Sequence, residues 1–282
     1  MYYGLLSISV IMFGTKFLFS KKYNKEMGSG LDATLISTII GSFVGLIVLF
    51  IINKIQFGFT PFTLLMASAS AINGILFSFC SLKSLDKINL SLYSIFSMLG
   101  GMLIPFLHGI IFYGEPITVG KSICVIFIIL ALAITVEKDN RKGGFIYYAG
   151  VFIFNGMSGV ISKIHQSSGF KTTNSAVFSI WTAIVSIVIS GILLLIFRKK
   201  AKKPSKMAIF YAAGNGILNK IANYFLLIAL TVLPSTVQYP FVTGGTMIVS
   251  TFFSAVTGQK PSKKELISVT LSFIGILALV LL

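Results

Sequence analysis

Apolar stretches of about 18 to 24 residues follow one another along the whole chain, with short polar segments between them. A helix of about 20 apolar residues is long enough to cross the hydrocarbon core of a bilayer. The pattern predicts an all-α polytopic membrane protein, and no cleavable signal peptide is expected at its start. We expect ten transmembrane helices, at residues 3–20, 33–53, 62–82, 90–113, 118–136, 145–163, 174–197, 207–230, 236–257 and 265–282.

Charge changes this picture little, although the net charge is +16. In a soluble protein such a charge would suggest nucleic acid, but here nearly all of it lies between the apolar stretches. Anionic lipid head groups are the better match for basic residues in such positions. The sequence therefore predicts a multi-pass protein of the cell membrane that has the lipid bilayer, and no nucleic acid, as a partner.

The two halves of the chain share a spaced set of residues. Gly100-Gly101 recurs as Gly244-Gly245, and the segment NGIL at 73–76 recurs at 215–218. Further pairs are Gly114 with Gly258, Ser91 with Ser235, Gly14 with Gly156, Ser20 with Ser162, and Lys21 with Lys163. Each half, 1–140 and 141–282, holds five predicted spans. Because five is odd, the second half enters the membrane from the opposite side, which predicts two inverted five-helix repeats.

The segment YGEPITVGKSICVIFIILALAI at 113–134 is similar to the Gly-Glu signature that opens the fifth helix of the EamA-like, ten-span transporters. With the five-plus-five pattern, the chain resembles this branch of the drug/metabolite transporter superfamily. The resemblance implies transport of a small metabolite by alternating access, with the substrate held between the repeats. The second half has Gln259 where the first has Glu115. We therefore expect Glu115 to be a charge at the start of a helix, beside Thr118, rather than a substrate ligand.

Glycine and proline interrupt corresponding spans of the two halves. Irregular backbone persists in lipid only where it lines a cavity or is packed against protein. Two interpretations remain open for these positions: close helix packing alone, or packing combined with a flexible hinge beside a cavity. The residues concerned are Gly100, Gly101, Pro105, Pro240, Gly244 and Gly245. In the second span, Gly41 and Gly45 have the GxxxG spacing of a packing face.

Polar residues inside the eighth span predict a substrate site. Asn215, Asn219 and Asn223 recur every four residues and share a helix face, with Lys220 and Tyr224 on the neighbouring stripe. A lysine at mid-membrane costs roughly 3 kcal/mol on insertion scales, so Lys220 should meet a wet cavity or a counter-ion. Every acidic residue lies in a connection or at the end of a predicted span. An anionic substrate is one interpretation, and a structural lysine bonded to carbonyl or Asn groups is the other.

The run GILNK at 216–220 also resembles the GALNK element of nucleotide-sugar transporters in the same superfamily, which implies that Asn219 and Lys220 line the site. Lys16 is a further candidate, although it could extend to the membrane interface. Asn73 and Asn155 could bind substrate or bond a neighbouring helix. Tyr93, Tyr224 and Tyr239 could stack on a ring.

Enzyme chemistry finds little support. His108 and His165 belong to no HExxH or Cys/His cluster, and no phosphate-binding glycine loop is present in the sequence. We therefore expect no enzyme activity, no cofactor and no metal. The alternatives to an anion carrier are a carrier of neutral or zwitterionic solutes such as amino acids, and a non-transporting membrane sensor or assembly subunit.

Basic residues also predict an orientation. The connections after spans 1, 3, 5, 7 and 9 hold 17 Lys and Arg residues, against four in the other connections, Lys54, Lys121, Lys163 and Lys171. Short connections rich in Lys and Arg stay cytoplasmic. The charge pattern therefore places both termini outside, whereas the family resemblance implies termini in the cytoplasm.

Overall fold

The chain forms a bundle of ten α-helices in a computed structural model, which describes residues 2–28, 30–87, 90–134, 145–197, 203–256 and 262–282. The proposed boundary between repeats, at 140 and 141, lies outside the described residues. The helices are α1 (Tyr2–Met27), α2 (Leu31–Ile52), α3 (Pro61–Lys87), α4 (Leu90–Tyr113), α5 (Val119–Ile134), α6 (Phe145–Ser167), α7 (Ser175–Ile196), α8 (Lys206–Leu230), α9 (Ser235–Val256) and α10 (Lys263–Leu281).

Five of these helices have an apolar segment long enough to cross a membrane. They are α1, α2, α7, and the parts of α3 and α4 at Pro61–Ser81 and Phe96–Tyr113. Two shorter apolar segments, Val119–Ile134 and Leu266–Leu281, belong to α5 and α10. Large apolar side chains such as Ile51, Ile111 and Phe112 are exposed, as expected where lipid replaces water. The chain is therefore an α-helical protein suited to a membrane.

Helix ends follow the local sequence. Asn174 accepts a hydrogen bond from the Val177 amide at 2.8 Å and caps α7, and Ser205 accepts one from the Ala208 amide at 3.0 Å and caps α8. α4 ends before Gly114, whose φ of +60° suits a residue without a Cβ. α1, α3 and α6 extend four to seven residues beyond the predicted spans, because polar and charged residues continue each helix past its apolar segment.

Helix packing relates the first and second halves. α1 packs against α8 and α9, and α6 packs against α3 and α4. α2 also packs on α7 and α8, α7 on α3, and α5 on α10. One apolar cluster lies among α4, α5, α9 and α10, around Met102, Cys124 and Ile128. Another apolar cluster joins α3, α6, α7 and α8 through Ala67, Ile161 and Leu227.

Four connections meet at one end of the bundle. The Trp181 indole donates to the Gly58 carbonyl at 2.9 Å, which joins α7 to the α2–α3 connection. His165, near the end of α6, lies 3.1 Å from the Thr63 hydroxyl at the start of α3. Glu115, between α4 and α5, contacts the first residues of α9. We call this end, where the α2–α3, α4–α5, α6–α7 and α8–α9 connections lie, the Glu115 end.

Candidate functional site

The polar face of α8 lies against α1. The Lys16 ammonium donates a hydrogen bond to Asn219 Oδ1 at 2.8 Å. Asn223 Nδ2 donates to the same oxygen at 3.1 Å and to the Asn219 carbonyl at 2.7 Å. The structure thus brings together three of the residues that the sequence proposed for the site, and Asn223 is exposed rather than buried among other helices.

Lys220 lies near the middle of α8 and is half-buried. Its aliphatic stem packs against Gly45 of α2, where an added Cβ would lie 2.5 Å from Lys220 Cγ. One turn earlier, Gly41 and Gly216 pack backbone against backbone, which confirms the packing role predicted for Gly41 and Gly45. No described residue accepts a hydrogen bond from the Lys220 ammonium or pairs with its charge. Its stem is held in place, whereas its charged end has no protein partner in the described part of the chain.

Asn215 is one turn from Asn219, and its side-chain oxygen is buried without a hydrogen-bond partner among the described residues. A buried acceptor without a partner costs about 1–3 kcal/mol. The structure therefore leaves an unsatisfied acceptor and an unpaired cation on the same segment of α8.

Asn73 and Asn155 hold helices together. Asn73 Nδ2 donates to the Phe154 carbonyl at 2.8 Å and to the Ser158 hydroxyl at 2.9 Å. Asn155 Nδ2 donates to the Ser97 carbonyl at 2.6 Å. Both amides therefore use their N–H groups between α6 and its neighbours, which favours the helix-bonding interpretation over ligand binding.

The three tyrosines differ in position. Tyr239 is buried, and its hydroxyl donates to the Gly159 carbonyl at 3.1 Å, which joins α9 to α6. Tyr224 is half-buried beside Phe225, with ring centroids 5.9 Å apart. The Tyr93 side chain lies outside the described part of the structure. Only Tyr224 of the two described tyrosines keeps its ring partly open.

The glycine pairs lie at close helix contacts. A Cβ at Gly100 would collide with the Phe152 backbone of α6, and one at Gly101 would lie 2.7 Å from Asn155 Nδ2. In α9, a Cβ at Gly245 would lie 3.0 Å from Val10 of α1. Gly244 packs against Ile276 and Ile128, and Pro105 packs against Gly159. Pro240 lies within α9. The glycines therefore allow α4 to approach α6 and α9 to approach α1.

Sequence reasoning missed a buried ionic cluster around Glu115. Glu115 Oε1 is 2.8 Å from the Lys163 ammonium, and both side chains are about nine-tenths buried. The carboxylate also accepts hydrogen bonds from the Ser235 amide at 3.1 Å, the Thr236 amide at 2.9 Å and the Ser235 hydroxyl at 3.1 Å. We call Glu115, Lys163, Ser235 and Thr236 the Glu115 cluster.

Glu115 was expected to lie at the start of α5, but it bonds the start of α9 instead. Thr118 caps α5 by accepting a bond from the Lys121 amide at 3.2 Å, whereas Glu115 caps the start of α9. Burial raises the pKa of Glu115, but the bonds from Lys163, Thr236 and Ser235 outweigh burial and lower that pKa to about 2. Lys163 was assigned to a connection, but it lies within α6. In the sequence, the signal that could have indicated this cluster was the repeat spacing, which pairs Ser91 with Ser235 and Lys21 with Lys163.

A cavity or a set of metal ligands away from α8 could also mark a functional site. A cleft of about 390 Å³ at the Glu115 end is lined by Phe59, Thr60, Pro61, Phe62, Phe170 and Lys171. Among the described residues, no three His, Cys, Asp or Glu side chains come together as metal ligands. Neither feature involves the residues that the sequence proposed for substrate binding.

Comparison with solved structures supports the fold. A crystal structure of a protein 16% identical to this chain superimposes with a TM-score of 0.76, over 98% of this chain and 97% of that one. At this identity the likeness shows a shared fold and nothing about activity. No family model matches the chain, and no curated protein matches it.

Proposed function

We propose that this protein is a secondary transporter of the drug/metabolite transporter type that moves a small anionic metabolite across the cell membrane by alternating access. In this proposal all ten helices span the bilayer as two inverted five-helix repeats. The helix packing supports it, because each contact has a counterpart between the corresponding helices of the two halves. The contact of α1 with α8 corresponds to that of α6 with α3, and the contact of α1 with α9 corresponds to that of α6 with α4. The matching glycine contacts in α4 and α9 support the same relation.

The observation that carries the proposal is the Lys220 ammonium. Its stem is held by Gly45 while its charge lacks an acceptor within the described residues. A cation inside a membrane costs roughly 2.5–3.5 kcal/mol at the helix centre unless it meets water or an opposite charge. A substrate carboxylate, phosphate or sulfonate would supply that charge. The Nδ2 group of the adjacent Asn219, which donates to no described residue, could bond its remaining oxygens.

Binding to the purified protein tests this proposal. A thermal-shift screen should compare small anions, amino acids and organic cations, followed by uptake into proteoliposomes. Lys220→Gln should weaken binding of the active anion by about 10- to 150-fold, because a charge-assisted bond contributes about 1.5–3 kcal/mol. The folded protein should not lose thermal stability, because the substitution removes an unpaired charge.

Lys203→Gln is the matched control, because it removes the same charge from an exposed position outside the helices. Its affinity and uptake should equal those of the original protein. Unchanged kinetics in Lys220→Gln would exclude the anion site. Stabilisation by amino acids alone would favour a carrier of zwitterions, and absence of flux for every solute that binds would favour a sensor or assembly subunit.

A further inference from the structure

The Glu115 cluster joins parts of the chain that are far apart in sequence. Glu115 belongs to the α4–α5 connection, Lys163 to the last turns of α6, and Ser235 and Thr236 to the first turn of α9. α4 itself is close, because a Cβ at Gly109 would lie 2.7 Å from Glu115 Oε2. One carboxylate therefore holds three helices together at the Glu115 end.

The layer directly beneath the cluster is also closed. Tyr239, one turn into α9, donates to the Gly159 carbonyl of α6, and Gly159 packs against Pro105 of α4. The same three helices therefore meet again below the ion pair. Separating α9 from α6 at this end would require both the Glu115 bonds and this layer to open.

The chemistry of the cluster suits a contact that is made and broken. A buried ion pair adds little net free energy of folding, because the loss of hydration offsets much of the attraction between its charges. When such a contact opens to water, both charges recover their hydration. An apolar contact gains nothing comparable on exposure. Glu115 and Lys163, each about nine-tenths buried, are therefore better suited to a reversible closure than to permanent packing.

The sequence supplies this charge at one end only. At the spacing that relates Gly114 to Gly258 and Ser91 to Ser235, the counterpart of Glu115 is Gln259. A neutral amide cannot form an ion pair with a lysine. In an inverted-repeat carrier, the two ends of the substrate pathway would therefore be closed with different strength.

We propose that the Glu115 cluster is a gate that holds the Glu115 end of the carrier closed and opens during alternating access. This proposal rests on the proposed transport function. It assigns Glu115 and Lys163 to conformational control rather than to substrate contact. It also gives the carrier a preferred resting state, closed at the Glu115 end.

Distance measurements between spin labels test the gate without a substrate. The labels are placed at Ile117→Cys and Lys171→Cys, both exposed positions in connections at the Glu115 end, after Cys80 and Cys124 are replaced by Ala. The full-length protein is measured in lipid nanodiscs. Glu115→Gln and Lys163→Met should each raise the population with the longer distance by at least about tenfold, as expected when a strong pairwise contact is removed.

Two variants separate gating from a general loss of structure. Glu115→Asp should keep more of the short distance than Glu115→Gln, because it retains a carboxylate that can pair with Lys163 and accept from the Ser235 and Thr236 amides. Glu26→Gln, which alters a carboxylate bonded to Ser205 between α1 and α8, should leave the distances unchanged. If Glu115→Gln and Lys163→Met do not fold, Ser235→Ala, which removes one donor to Glu115, should give a smaller shift in the same direction.

Distances in the folded Glu115 and Lys163 variants that equal those of the original protein would overturn the gate. A lengthening that also occurs in Glu26→Gln would overturn it as well. Uptake is measured in parallel on the same proteins. Altered distances without transport of any solute would reject the carrier function while showing that the cluster controls the conformation, so the two failures are distinguishable.

Discussion

Replacing Gly100 by Ala should destabilise the protein, whereas replacing Gly74 by Ala should not. At Gly100 the added methyl group would meet the backbone carbonyl group and Cα of Phe152, which cannot move without moving α6. At Gly74, in the middle of α3, nothing lies within 4 Å of the added carbon. The two substitutions are chemically identical and differ only in what surrounds them.

The expected magnitudes follow from this difference. Overpacking a close contact costs typically about 1–3 kcal/mol. Replacing glycine by alanine inside a helix gains up to about 1 kcal/mol in soluble helices. Gly100→Ala should therefore lose up to about 2 kcal/mol net, and Gly74→Ala should be neutral or gain up to about 1 kcal/mol.

The assay is unfolding of the purified protein in mixed detergent micelles, followed by helix content, for both variants and the original. Gly191→Ala, another open position in α7, is a second control. If Gly100→Ala unfolds at the same denaturant fraction as Gly74→Ala, the approach of α4 to α6 does not depend on a missing side chain, and the packing explanation of the glycine pair is wrong.

Three further predictions use the remaining contacts. Gly101→Val and Gly245→Val should both reduce transport, Gly101→Val more strongly, because it meets an amide fixed by hydrogen bonds rather than a mobile Val side chain; equal full activity would contradict this. Thermal stability should fall as pH drops from about 4.5 to about 2, because in that interval the Glu115 carboxyl group binds a proton in the unfolded chain but stays ionised in the folded protein, where its pKa is lowered to about 2. Glu115→Gln should flatten that part of the pH profile, and an unchanged profile would show that other groups cause it. In Ala201→Cys, the new cysteine should not react with an impermeant maleimide in intact cells, because the basic connections are expected to be cytoplasmic. Reaction of that cysteine would show that this connection is outside and that the assigned orientation is wrong.

The helices themselves could be predicted from the sequence because each carries its own apolar stretch. All ten predicted spans fall on observed helices, with starts that agree within two residues. The ends of α1, α3 and α6 were placed too early. In α6, His165 and Gln166 are polar, but they contact Thr63 and Ser175 in the folded protein. Hydropathy cannot detect such partners, so the predicted span ends before these two residues.

The site was predictable to the extent that its residues lie on one helix. Asn219 and Asn223 form a bonded pair because residues four apart share a helix face. The contact of Lys16 with Asn219 joins residues 203 positions apart, and sequence reasoning could propose both residues without pairing them. The amides of Asn73 and Asn155 look the same in the sequence, but they are occupied by carbonyl groups of neighbouring helices. Whether an amide faces a ligand or a carbonyl depends on packing that no local pattern records.

The burial of two lysines changes the charge argument for orientation. Lys163 is paired with Glu115 inside the bundle, and Lys121 is buried, its ammonium donating to the Pro116 carbonyl at 2.6 Å. Both had been counted with the less basic set of connections. Their removal leaves Lys54 and Lys171, which are exposed at the Glu115 end. Because Lys163 is paired with Glu115 and Lys121 is buried against a carbonyl group, neither belongs with the exposed basic residues of the connections, so the asymmetry of Lys and Arg is larger than the sequence count indicated. It favours an outward position for the Glu115 end, and hence a gate that closes the outer side of the proposed carrier.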